Sequence, residues 1–144
     1  MTRINVLPPA LLTDAHLLAE YRELPRVFTL ARGSTGGPTP SRYTLGTGHV
    51  RFFYSRTGFL ARRQAELIRE LLDRGYNLTH RTAPEPIPGL DLEWEPDEVA
   101  ISVNRARLQE RLRKEGARYT HRGKPVGLDF YDDRGSDNPP CVYS

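Results

Sequence analysis

Apolar residues recur at helical spacing in three stretches of this chain, separated by coil rich in proline or glycine. No other feature constrains the fold as strongly. In the first stretch Leu17, Leu18, Tyr21, Leu24 and Phe28 share a face. Thr13 or Asp14 can cap its start, since either side-chain oxygen can accept from the free amides of the first turn. This helix is expected to run to about Ala31, with Pro25 inside it, where the missing N–H should kink the axis. The second helix is expected from about Gly58 to Arg74, ending at Gly75, with Leu60, Gln64, Leu67, Ile68, Leu71 and Leu72 inward. The third is expected from Pro96 or Asp97 to about Lys114. Val99, Ile101, Val103, Leu108 and Leu112 face its core, and Pro96, Asp97 and Glu98 hold the favoured first-turn positions.

The intervening segments are read from composition. Asn5 to Pro9 is extended, with two prolines opposing regular helix. Gly33 to Pro40 is loop. Gly46 to Tyr54 reads as a short strand or as packed coil. Pro84 to Pro96 combines prolines and acids with no positive charge, as expected of a surface connector. From Asp129 onward the chain turns acidic and proline-rich, and a loose tail is expected. The resulting expectation is an all-α, compact single domain of three main helices with long connecting coils over residues 1–128, followed by a tail over 129–144.

A chain of 144 residues suits one domain. Its 38% hydrophobic content permits a small core. The single Cys141 excludes a disulfide framework and any cysteine-built zinc site. No apolar run reaches the roughly 20 residues that cross a bilayer, and no secretory signal opens the chain. The expected location is therefore cytoplasmic. Net charge is only +3, but between Asn104 and Lys124 six arginines and two lysines face only Glu110 and Glu115. Arg107, Arg111 and Lys114 fall on one helical face, and Arg22 and Arg26 lie one turn apart on the first helix. Nearly all this charge is arginine, the side chain suited to bidentate phosphate contact. Rows of this kind, if brought together, would suit a nucleic-acid backbone.

The start of the chain, Thr2-Arg3-Ile4-Asn5, read with Asp14-Ala15-His16-Leu17-Leu18-Ala19-Glu20-Tyr21-Arg22-Glu23-Leu24-Pro25-Arg26-Val27-Phe28, resembles the pyrimidine-dimer DNA glycosylase and abasic-site lyase family, typified by a phage endonuclease V. The resemblance continues through Gly46 to Tyr54 and Phe59 to Asn77, and resumes at Pro96 to Leu108. It implies a nucleophile at the α-amine of Thr2, exposed once Met1 is removed. Such an amine has a pKa of about 7.7–8.0, so a useful fraction of it is already unprotonated near neutrality, whereas a lysine amine at roughly 10.4 would need burial or a neighbouring charge to be lowered as far. It would attack the anomeric carbon, displace the base and leave a Schiff base. By resemblance, Glu23 stabilises positive charge on the sugar and helps remove a sugar proton, so that the strand breaks by β-elimination. Arg3, Arg22, Arg26 and Arg107 match phosphate contacts, Arg111 keeps the charge of a lysine, and His16 matches a position lining the cleft.

The implied partner is double-stranded damaged DNA bound by a monomer, with no membrane partner. The chemistry requires no metal and no organic cofactor. Lesion recognition is expected to be indirect, because a damaged step is cheaper to kink and unpair. The chain departs from the family after the first helix, where the loop is shorter and less basic. It departs again at Arg118 to Lys124, which holds one aromatic and added cations. Three readings therefore stand: a bifunctional glycosylase and lyase for cyclobutane pyrimidine dimers, a lyase or glycosylase for abasic sites or another lesion, and a non-catalytic DNA-binding protein on the same scaffold.

Overall fold

The computed structural model describes residues 3–34, 39–115 and 118–132. Its elements in chain order are a 3-10 turn at Pro9–Leu11, helices α1 (Asp14–Arg32), α2 (His49–Phe52), α3 (Thr57–Asp73) and α4 (Glu98–Glu115), and strands β1 (Thr120–His121) and β2 (Lys124–Pro125). The all-α expectation of three main helices holds. Gly46 to Tyr54 is neither strand nor coil: it contains the single turn of α2, entered through Gly48 at φ +91°. The chain divides into two compact units, Met1–Ile4 with Leu17–Glu95, and Asn5–His16 with Pro96–Ser144. Thr2, residues 35–38 of the expected Gly33–Pro40 loop, and the expected tail beyond Asp132 lie outside the described residues.

In the first unit, α1 and α3 supply most of the core. Leu17, Leu24, Val27 and Ala31 of α1 are fully buried, as are Leu60, Leu67 and Leu71 of α3, whereas Leu72 is exposed, contrary to its expected inward position. Pro25 cannot donate to the carbonyl of Tyr21, its i−4 partner. The Gln64 side chain supplies the missing donor, its Nε2 lying 3.2 Å from Tyr21 O. This explains why a polar residue sits in the buried stripe of α3. A second link is ionic. Arg63 donates from Nε and an Nη to both Glu20 oxygens at 2.8 and 2.9 Å, with side chains 4% and 0% exposed. At its C-terminus α3 closes through Gly75 at φ +92°, with Tyr76 N bonded to Leu71 O and Gly75 N to Leu72 O. The pattern is that of a Schellman cap.

The segment Pro84 to Pro96 is more than a surface connector, and the reason lies at the N-terminus of α3. That helix has no side-chain cap. Its orphan amides are met instead by remote carbonyls: Thr57 N and Oγ1 donate to Leu90 O, and Phe59 N donates to Leu92 O. Leu92 N returns a bond to Ser55 O, and Ile87 N donates to Thr57 Oγ1. Gly58 permits this approach, since a Cβ there would sit 2.5 Å from Asp91 O. The same strap carries Trp94, which stacks on Tyr43 and meets Phe52 and Phe59 edge-on.

In the second unit Thr13, not Asp14, caps α1, accepting from His16 N. Asp14 is spent elsewhere. Its carboxylate accepts from Thr120 Oγ1 and from Arg122 N and Gly123 N, the two loop residues of the β1–β2 hairpin. Both loop residues have positive φ, as a type I′ turn requires. Asp97 caps α4 through Ala100 N.

Helix α4 is rotated from the expected phase. Val99 and Val103 are 70% and 36% exposed, and Ala100 and Asn104 are buried in their place, beside Leu108 and Leu112, which face inward as expected. Asn104 explains the choice: its Oδ1 accepts from Val6 N and Leu7 N, and its Nδ2 donates to Asn5 Oδ1. The amides of Val6 and Leu7 thereby find an acceptor without a sheet. The described start of the expected tail is not loose either. Tyr131 is fully buried; Gln109 accepts from its amide and donates to the carbonyl of Leu128.

Candidate active site

The first unit holds Arg3, Arg22, Glu23 and Arg26 of the expected site residues. Arg3 is half-buried, and the residue after it is fixed at both backbone polar groups. Ile4 N donates to His49 Nε2 at 2.8 Å, and the Tyr43 hydroxyl donates to Ile4 O at 3.0 Å. His49 Nδ1 lies 2.8 Å from Thr44 O and must carry its proton, because a carbonyl can only accept. That bond leaves Nε2 unprotonated, in the tautomer that accepts the Ile4 amide. The His49 pKa is lowered to about 4, chiefly by burial, with the Arg3 charge adding to the effect against the Thr44 bond. The imidazole is therefore neutral near pH 7. Burial, followed by the Glu20 charge, likewise pushes the Tyr43 phenol up, keeping it a donor.

Helix α1 carries two acids three residues apart, and the fold separates their roles. Glu20 is buried and committed to Arg63. Glu23 stays 42% exposed and lies 3.8 Å from the Arg26 guanidinium, itself 68% exposed. At that exposure the ion pair is screened and weak, so Arg26 can exchange Glu23 for a phosphate at little cost. Arg22 is exposed on the same helix.

The second unit holds His16, Arg107 and Arg111. His16 Nδ1 lies 2.6 Å from the Tyr131 hydroxyl, whose oxygen also accepts from Thr13 N. The ring lies between Tyr119 and Tyr131, with centroids at 4.8 and 5.5 Å. Burial lowers its pKa to about 4; Glu115 opposes the shift and Arg111 reinforces it. Arg111 pairs with Glu115 at 2.8 Å and Arg107 with Glu110 at 3.1 Å. Glu115 is further held by the Tyr119 hydroxyl, the first cause of its lowered pKa. The α4 arginines thus stand in short-range pairs along one helix rather than as a bare cationic row.

The structure brings Arg22, Glu23 and Arg26 together on α1 and sets His16 beside Arg111. Thr2, the expected nucleophile, precedes Arg3 and lies outside the described residues. Sequence reasoning missed Tyr43, His49 and the Glu20–Arg63 pair. Of these, only His49 carried a signal, as the one imidazole among the aromatics of Gly46 to Tyr54. Among the described residues no group of three or more His, Cys, Asp or Glu is placed to hold a metal ion, and no helix is long and apolar enough to cross a membrane.

A family model described as pyrimidine dimer DNA glycosylase matches residues 1–83. The matched span contains α1, α2 and α3, the Ile4 anchor, the Glu20–Arg63 pair and Glu23; α4 with Arg107 and Arg111 follows it. More than half of the chain lies within the match, and the chain belongs to the pyrimidine dimer DNA glycosylase family, enzymes of DNA repair that act as glycosylases and abasic-site lyases on damaged DNA.

Proposed function

We propose that the protein performs this repair through the α-amine of Thr2, once Met1 has been removed, with Glu23 as its acid–base partner and double-stranded DNA as its substrate. The amine nitrogen attacks the anomeric carbon of a nucleotide of a cyclobutane dimer as the glycosidic C–N bond breaks, its electron pair leaving with the base. Opening of the sugar C–O bond and loss of the amine proton leave a Schiff base. The Glu23 carboxylate offsets the positive charge developing on the sugar, then removes a proton from the adjacent carbon. Elimination expels the 3′ phosphate, and water releases the enzyme. Arg3, Arg22 and Arg26 of the first unit bind phosphates near the lesion, and Arg107, Arg111 and His16 are the DNA contacts of the second unit. The reaction needs no cofactor, and the protein acts as a monomer.

The observation that carries this reading is the contrast within α1. Glu20 is consumed by Arg63, whereas Glu23, one turn on, keeps an accessible carboxylate beside exposed arginines. The test compares Glu23→Gln with the parent on dimer-containing and abasic duplexes. Turnover should be lost on both while DNA affinity is kept, and unimpaired cleavage would remove Glu23 from the mechanism. A preparation retaining Met1 should also be inactive, because the attacking amine is displaced by one residue. The second reading, activity on abasic sites alone, draws on the altered Arg118 to Lys124 segment, and cleavage of abasic but not dimer duplexes would select it.

A further inference from the structure

Chain termini are ordinarily among the least ordered parts of a domain unless something ties them down. Here the tie falls on Ile4, two residues from the proposed nucleophile. Its side chain is fully buried, its amide is held by His49 and its carbonyl by Tyr43. Both partners come from one short segment and are themselves fixed. His49 is locked by the Thr44 carbonyl. Tyr43 stacks on Trp94 and meets His49, Phe52 and Phe53 edge-on. Two residues of extended chain span at most about 7 Å, so the Ile4 backbone is the nearest fixed point from which an amine at Thr2 can be tethered.

We propose that His49 and Tyr43 are positioning residues for the N-terminal amine: by clamping both backbone polar groups of Ile4 they fix the anchor from which the nucleophile reaches the sugar. This rests on the reading that Thr2 supplies the attacking nitrogen. Neither side chain reacts. Their contribution is the entropy of orientation, where a misplacement of about 1 Å can cost on the order of a hundredfold in rate. The clamp also explains why a histidine is used: the neutral ring offers a donor on one nitrogen and an acceptor on the other, and both are needed at once.

The experiment follows single-turnover borohydride trapping on a duplex with one abasic site, at saturating enzyme, using the full chain with Met1 removed. Tyr43→Phe deletes only the hydroxyl, and His49→Leu deletes the acceptor. His49→Gln restores a carbonyl oxygen able to accept from the Ile4 amide. Leu67→Ala, a change in the buried core of α3 that alters neither His49 nor Tyr43, serves as the stability control. Each variant is also measured for thermal stability and for duplex affinity without borohydride. The trapping rate per folded molecule should fall about tenfold in Tyr43→Phe and about a hundredfold in His49→Leu, with partial recovery in His49→Gln. Duplex affinity should stay within about twofold, and Leu67→Ala should lose stability without losing rate.

Trapping at the parent rate in Tyr43→Phe would overturn the proposal, and that variant decides the matter if the His49 variants fail to fold. Rates that fall only in step with stability, with Leu67→Ala falling alongside the clamp variants, would overturn it equally. Mapping the parent adduct separates the two levels. An adduct on Thr2 with unaffected variants defeats the positioning role alone, whereas an adduct elsewhere defeats the nucleophile reading and this proposal with it.

Discussion

Gly58→Ala is the substitution for which helix propensity and the structure give opposite signs. Gly58 lies in the first turn of α3, and on propensity alone alanine should stabilise a helix by about 0.5–1 kcal/mol. The structure predicts the reverse. A Cβ at this position would sit 2.5 Å from Asp91 O, 3.0 Å from Leu92 O and 3.2 Å from Asp91 C. All three are backbone atoms, so no rotamer change relieves the contact. The strap must move away, and the bond from Phe59 N to Leu92 O, already 3.3 Å, is the first to fail. Overpacking of this kind costs about 1–3 kcal/mol, and a lost buried hydrogen bond about 1 kcal/mol more.

After the propensity gain is subtracted, the expected net loss is about 1–3 kcal/mol. At roughly 4 °C per kcal/mol for a chain of this size, Tm should fall by about 4–12 °C. Thermal melting followed by far-UV circular dichroism reads this directly. The strap also carries Trp94 against Tyr43, so the trapping rate should fall with it. A Tm equal to or above that of the parent would refute the reasoning, since it would mean that the strap does not bear on α3.

Three further outcomes are expected. Glu20→Gln leaves the buried Arg63 guanidinium without its countercharge and should cost about 3–5 kcal/mol in denaturant unfolding; a loss below about 1 kcal/mol would show that the pair is dispensable. His16 and His49 both titrate near pH 4 in the folded protein against an ordinary 6.5. The unfolded chain therefore binds more protons between those values, and stability should fall as pH drops from 6.5 towards 4, by on the order of 3 kcal/mol for each ring. Protonated His49 would turn an N–H towards the Ile4 amide, with Arg3 as the charged neighbour opposing the change. His49→Gln should flatten its share of the slope, and an unchanged slope would contradict the assignment. Loss of turnover with retained DNA binding in Glu23→Gln, measured by gel cleavage and by anisotropy, completes the set.

The three main helices were legible because apolar residues at a period of 3.6 mark a buried face wherever the face is wholly apolar. Where polar residues do the packing, the signal misleads. Helix α4 turns Asn104 inward to accept from the Val6 and Leu7 amides, and counting apolar positions placed Val99 and Val103 there instead. The capping of α3 by the Leu90 and Leu92 carbonyls leaves no local trace, since backbone acceptors are common to every residue. Gln64 was visible as a member of the stripe but not as the donor that answers Pro25, because that role depends on a contact across 43 residues of chain. At the site, the motif around Glu23 was readable from its residue types. The clamp on Ile4 was not, because Tyr43 and His49 meet Ile4 only after the chain has closed loops of 39 and 45 residues.

The proposed chemistry on a pyrimidine dimer depends on an amine at the N-terminus. The most direct measurement incubates the protein, its mature N-terminus confirmed by mass spectrometry, with a duplex containing one defined thymine dimer. Borohydride is then added and the covalent product mapped. The expected result is a single adduct on the peptide that begins with Thr2, formed from the dimer duplex as well as from an abasic control. An adduct on either of the two lysines of the chain, Lys114 or Lys124, would contradict the claim, as would trapping of the abasic duplex with none of the dimer.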